Sequence, residues 1–117
     1  MFDITLNYLP PSVNCCYRSY NKKVIKSKRY REFIEKFNES IANKMIDTLE
    51  GDLKLTLIVN CKSKRKRDLD NFFKSVLDCL EANKIFENDS QITEIVAKKN
   101  VGCTEDSTYI KVEQIVV

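Results

Sequence analysis

The sequence predicts an α/β fold, a small mixed β-sheet packed with two helices in the order β-α-β-α-β-β. Three observations carry that expectation. The stretch LKLTLIVNC puts Leu53, Leu55, Leu57, Val59 and Cys61 on one face of a strand, the period-2 pattern of a half-buried β element. Two other stretches repeat their apolar residues at helical spacing instead. The 117 residues hold two glycines and two prolines, with no repeat and no linker composition, so one domain spanning residues 1–117 is expected.

The elements follow in order. FDITLNYL alternates apolar and polar from Phe2, and Pro10 and Pro11 end that strand because neither can continue a central ladder. A basic loop comes next. Ser27 is the expected N-cap of a long helix whose apolar face runs through Tyr30, Phe33, Ile34, Phe37, Ile41 and Met45, with Gly51 as its stop. After the 53–61 strand, Leu69, Phe73, Val76, Leu77 and Leu80 define a second helix ending near Asn83. Beyond the turn FENDS, Ile92 to Lys99 and Thr108 to Val117 read as strands, and the loop GCTEDS between them is compatible with a hairpin. Core packing accounts for both helical stripes.

Composition removes several function classes. No apolar run approaches a membrane span and no signal-peptide pattern opens the chain, so a cytoplasmic protein is expected. Five cysteines, an odd number with no C-x-x-C pair, argue against a disulfide framework or a zinc site; Cys61 and Cys79 read as small hydrophobes. There is no histidine. That excludes Ser-His-Asp and Cys-His nucleophiles, histidine-ligated zinc and a histidine base within one chain. Any catalysis falls to carboxylates, lysine, tyrosine or a metal.

The charge is distributed unevenly. Residues 18–31 hold seven basic side chains and no acid, and residues 62–67 hold five more; against a net charge of +3, those twelve leave the rest of the chain at −9. Two positive patches on an otherwise acidic protein suit nucleic acid better than uniform solvation does. Arg18, Lys22, Lys23 and Lys26 are the candidate contacts in the first patch, and Lys62, Lys64, Arg65, Lys66 and Arg67 in the second. Tyr17, Tyr20 and Tyr30 interleave with the first, as stacking would require.

The second patch runs straight into Asp68 and Asp70. Two residues apart on a helix point to nearly opposite sides, so these two converge only if Asp68 precedes the helix and Asp70 sits at or near its N-cap. Capping alone would explain Asp70. Lys74 and Asp78 continue the same helix face at four-residue steps, and Asp89 lies in the turn where the chain returns toward the sheet, from which it could approach Asp68 and Asp70. Clustered carboxylates repel unless a cation neutralises them, and oxygen ligands without His or Cys suit Mg²⁺ or Mn²⁺. Aspartates beside phosphate then make sense, with the metal between them and flanking cations offsetting the remaining repulsion.

RDLDNFFKSVLDCLEANKIFENDSQI resembles the RusA-like Holliday-junction resolvases, crossover-junction endodeoxyribonucleases common in prophages. The family motif D-x-D-N-x-x-K-x-x-x-D is matched by Asp68, Asp70, Asn71, Lys74 and Asp78, and its later acidic turn by Asp89 and Gln91. LPPSVN also looks like the family's segment after the first strand. The resemblance implies Asp68, Asp70 and Asp89 as catalytic, metal-binding carboxylates, Lys74 as the essential lysine, and Asn14 and Asn71 as further DNA contacts. It implies a homodimer that cuts two strands of a four-way junction with Mg²⁺. Where family members often carry two acids in the turn, this chain has Asn88 before Asp89, leaving Asp89 as the one acidic candidate there.

Two other readings use the same residues. The patches could serve a non-catalytic nucleic-acid-binding protein, or a solvated face on a protein adaptor. A complete D-x-D with a lysine and a third aspartate speaks against both, because binding alone has no use for acids beside phosphate.

Overall fold

The computed structural model describes residues 1–12, 16–64 and 68–116. Its regular elements follow in the order β1 (Phe2–Leu6), β2 (Tyr17–Tyr20), β3 (Lys23–Lys26), α1 (Lys28–Ile41), β4 (Leu53–Asn60), α2 (Phe73–Ala82), β5 (Ile92–Asn100) and β6 (Ser107–Gln114). Short 3₁₀ turns at Leu69–Phe72 and Asp89–Gln91 precede α2 and β5. The mixed α/β class and the order of the large elements agree with the sequence reading.

The main sheet runs β1-β6-β4-β5. β4 pairs antiparallel with β6 and parallel with β5. The β5–β6 hairpin with which the GCTEDS loop is compatible is not formed: β4 lies between the two strands. Burial explains the order. Thr108, Ile110 and Val112 of β6 are fully buried and need a neighbour on each side, whereas Ile95 and Val96 of β5 are exposed, as an edge strand permits.

Leu53, Leu55, Leu57, Val59 and Cys61 all point into the core, as their alternation requires. They meet Tyr30, Phe33, Phe37 and Ile41 of α1 and Val76, Cys79 and Leu80 of α2, so both helices cover one face of the sheet. Ser27 caps α1 by accepting the Tyr30 amide at 3.2 Å. α1 ends at Ile41, well before Gly51, and Met45 is 102% exposed, outside the apolar face assigned to it. The chain leaves the helix to bury Leu49, which bridges to Phe86. Gly51, at φ +77°, turns the chain into β4 and does not stop α1.

The first basic segment is a hairpin, not a loop. β2 and β3 form a separate two-stranded sheet, closed by Asn21 and Lys22 at φ 48° and 63°, the conformation of a two-residue type I′ turn. Among the described residues no helix is long and apolar enough to cross a membrane.

Candidate active site at the start of helix α2

β4 and β5 are parallel neighbours joined through α2, so α2 must carry the chain back along the sheet. Its first turn lies at the C-terminal end of β4 and its last turn at the N-terminal end of β5. The D-x-D motif sits at the first of these ends. Asp68 has extended backbone, φ −74° and ψ 129°, and the helical path begins one residue later. This break frees Asp68 from the helical geometry that sends residues two apart to nearly opposite sides.

Neither carboxylate caps a helix. Asp68 is the N-cap of the 3₁₀ turn but makes no side-chain cap bond, Asp70 lies inside that turn, and the N-cap of α2 is Phe72. The expected capping role for Asp70 is therefore not observed. Both side chains are exposed at the positive end of the helical path. What holds this end in place is packing, with Phe72 and Val76 buried, and the Ser75 hydroxyl, which donates to Pro11 O at 3.2 Å. The LPPS segment thus braces the first turn of α2.

Lys74 stands one turn further on. Its ammonium lies 3.5 Å from Asp78 Oδ2 and 5.9 Å from the centre of the Tyr17 ring. Asp78 first, then Tyr17, pushes its pKa up, so the cation is held charged. Asp78 Oδ2 also accepts the Tyr30 hydroxyl at 2.9 Å, and Tyr30 meets Tyr17 edge-on at 5.7 Å. Burial, then that bond to Asp78, raises the Tyr30 pKa far above its ordinary value. Lys26 lies 5.8 Å over the Tyr30 ring. This chain of interactions ties the basic hairpin, which carries Arg18, Lys22, Lys23 and Lys26, to α2 through Tyr17 and Lys26. The sequence interleaves Tyr17 and Tyr30 with the basic patch as stacking candidates; their observed work is to anchor the hairpin. Asp78, matched only as a motif position, is the acceptor that joins the two elements.

The second patch leaves β4 at its C-terminal end. Lys62 and Lys64 are exposed, and the Lys62 amide donates to Asp106 at 2.8 Å. Asn71 is half-buried within the 3₁₀ turn. Asn14, Arg65, Lys66 and Arg67 lie outside the described residues.

Asp89 lies elsewhere. It opens the 3₁₀ turn at the N-terminal end of β5, beside the start of β4. α2, ten residues and so about 15 Å long, separates that end from Asp70. Among the described residues no three Asp, Glu, Cys or His side chains come together as a metal-sized group. The expected approach of Asp89 to Asp68 and Asp70 does not occur within one chain. The neighbours of Asp89 are structural: Asn88 accepts the Ser90 amide at 2.8 Å, Gln91 Oε1 accepts the Glu87 and Asn88 amides, and Gln91 Nε2 donates to Leu49 O and Gly51 O. Asn88 thus caps the turn, and Asp89 is presented outward, exposed.

The sequence model of the family Endodeoxyribonuclease RusA matches residues 8–113. This chain belongs to the RusA endodeoxyribonuclease family. A crossover junction endodeoxyribonuclease RusA from Aquifex aeolicus (strain VF5) is 30% identical over 115 residues, which cover 94% of this chain and 89% of that protein. The RusA match takes in both strands that flank α2, the D-x-D-N-x-x-K run and the Asp89 turn, so the whole candidate site lies inside the family region.

Proposed function

We propose that this RusA-family endodeoxyribonuclease resolves four-way DNA junctions by metal-dependent phosphodiester hydrolysis, as a homodimer whose two sites each join Asp68 and Asp70 of one subunit to Asp89 of the other. What supports the reading is a single relationship: Asp68 and Asp70 stand exposed, free of capping duty, at the end of α2 that follows Lys62 and Lys64 and precedes Lys74 by one turn. Close carboxylates repel one another, and a divalent cation between them and phosphate would offset that repulsion.

The donor set suits a hard cation. Two carboxylates per chain, no histidine and no cysteine at the α2 start fit Mg²⁺ or Mn²⁺. Asp68 and Asp70 would hold it, with Asp89 of a second copy as the third ligand. A bound divalent ion would polarise the phosphate and lower the pKa of water. Lys74, kept charged, is a point charge suited to the developing negative oxygen. Lys62, Lys64 and the hairpin cations contribute phosphate contacts, and Asn71 a polar one.

One finding favours shared sites over a site within one chain. Asp89 lies at the far end of α2 from Asp70, yet it faces outward on a turn held rigid by Asn88 and Gln91. A two-fold dimer would present two equivalent centres to the two equivalent strands of a junction.

The test is Asp70→Asn. It keeps shape and removes one charge, so junction cleavage in Mg²⁺ falls by orders of magnitude while binding in EDTA stays equal or tightens. A mutant that cuts like the wild type removes Asp70 from the site and returns the chain to the binding-protein reading.

A further inference from the structure

The β2–β3 hairpin has two faces with different partners. Register pairs Tyr17 with Lys26, Arg18 with Ile25, Ser19 with Val24 and Tyr20 with Lys23, and residues directly opposite share a face. Tyr17 and Lys26 therefore lie together, and both touch Tyr30, so that end of the hairpin is anchored on α1, while Val24 further along the same face is 73% exposed. The other face carries Arg18, Tyr20, Lys23 and Ile25. Tyr20 is 59% exposed, the most exposed of the five tyrosines, and no ring or cation engages it among the described residues. An exposed aromatic ring on the same hairpin face as two cations, with no acid on the hairpin, is chemically suited to a partner that is both planar and anionic.

We infer that the Arg18–Tyr20–Lys23 face is a stacking platform for a nucleotide opened from its pair at the branch point of the bound junction: Tyr20 stacks on the base, and Arg18 and Lys23 hold the phosphates on either side. A base has a π-face whatever its sequence, and cations flanking an aromatic side chain suit single-stranded nucleic acid better than duplex, whose bases stack on each other. The hairpin is suited to the task because its Tyr17–Lys26 end is held against Tyr30 and Lys74, which ties the strand carrying Tyr20 to the helices. The proposal rests on the junction-cleaving reading above and adds the residue that would distinguish a branch from a linear duplex.

The experiment compares full-length wild type, Tyr20→Ala and Tyr20→Phe in EDTA on three probes: a synthetic four-way junction with 2-aminopurine at the branch, a linear duplex of equal length, and a single strand. Stacking of this kind corresponds to a fall of about tenfold in affinity when the ring is removed. Tyr20→Ala should weaken junction and single-strand binding by about that factor, leave duplex binding within twofold, and abolish the change in 2-aminopurine fluorescence; Tyr20→Phe should behave as wild type. Equal weakening on all three probes, or none on any, overturns the proposal. If wild type itself prefers junctions but Tyr20→Ala keeps the preference, only the platform falls. If wild type neither prefers nor cuts junctions, the underlying reading falls with it. An unchanged melting temperature confirms that the variants are folded.

Discussion

Lys74 Nζ lies 3.5 Å from Asp78 Oδ2, and that same oxygen accepts the Tyr30 hydroxyl at 2.9 Å. One carboxylate thus positions the lysine of the D-x-D-N-x-x-K run and ties α1 to α2. The two interactions differ in kind: the Lys74 pair is half solvent-exposed, while the Tyr30 ring is buried.

Lys74→Ala should therefore lower cleavage far more than stability. An exposed i,i+4 pair contributes about 0.3–0.5 kcal/mol, so the melting temperature hardly moves. Single-turnover cleavage at saturating junction should drop by at least tenfold, with binding little changed. An unchanged rate would leave Lys74 a helix-face cation and nothing more.

Tyr30→Phe should cost about 1 kcal/mol, since it removes a hydrogen bond to a partly solvated carboxylate while the ring stays packed. The urea midpoint reads this. The same variant loosens the support of the basic hairpin, so junction affinity should fall as well.

Alkaline pH should destabilise the fold through the α2 core. Burial, then Asp78, pushes the Cys79 thiol up from 9.0 to about 12, and Tyr30 is raised in the same direction. The folded state therefore keeps its proton where the unfolded chain gives it up. That stability is fully present below pH 9 and fades progressively as pH rises toward 12. Melting temperature measured across this window should fall more steeply for wild type than for Cys79→Ala.

DNA binding should be steeply salt-dependent. Replacing Lys22 and Lys23 by alanine should flatten the log–log salt slope by about 0.9 for each phosphate that is no longer neutralised. An unaltered slope would mean that the hairpin does not touch the backbone.

The large elements were legible because their side chains obey a period. β4 alternates without a break, and α1 and α2 carry apolar stripes that the core then buries. The hairpin was not, for a physical reason: apart from the half-buried Ile25 its side chains are exposed, so burial imposes no alternation, and the Asn21-Lys22 turn lacks the glycine that usually announces a type I′ hairpin. The end of α1 was misplaced because Met45 continues the helical spacing, but Leu49 finds its burial against Phe86 instead. Strand order was hidden for a third reason: adjacency in sequence suggested a β5–β6 hairpin, whereas the uninterrupted burial of Ile110 and Val112 places β6 inside the sheet. The site was half legible. Motif spacing marked Asp68, Asp70, Lys74 and Asp89, but linear spacing could not reveal that a parallel crossover carries Asp89 to the opposite end of α2.

That separation sets the most direct measurement. Asp70→Asn and Asp89→Asn proteins are prepared singly, each inactive on a four-way junction in Mg²⁺, and are then mixed and allowed to exchange subunits. If each site takes Asp70 from one subunit and Asp89 from the other, a mixed dimer contains one site with both mutations and one with neither. The mixture should regain cleavage, and as nicks in single strands, since one functional centre per dimer cannot cut both. A mixture as inactive as its two components, under conditions where subunit exchange is demonstrated, would contradict the shared site.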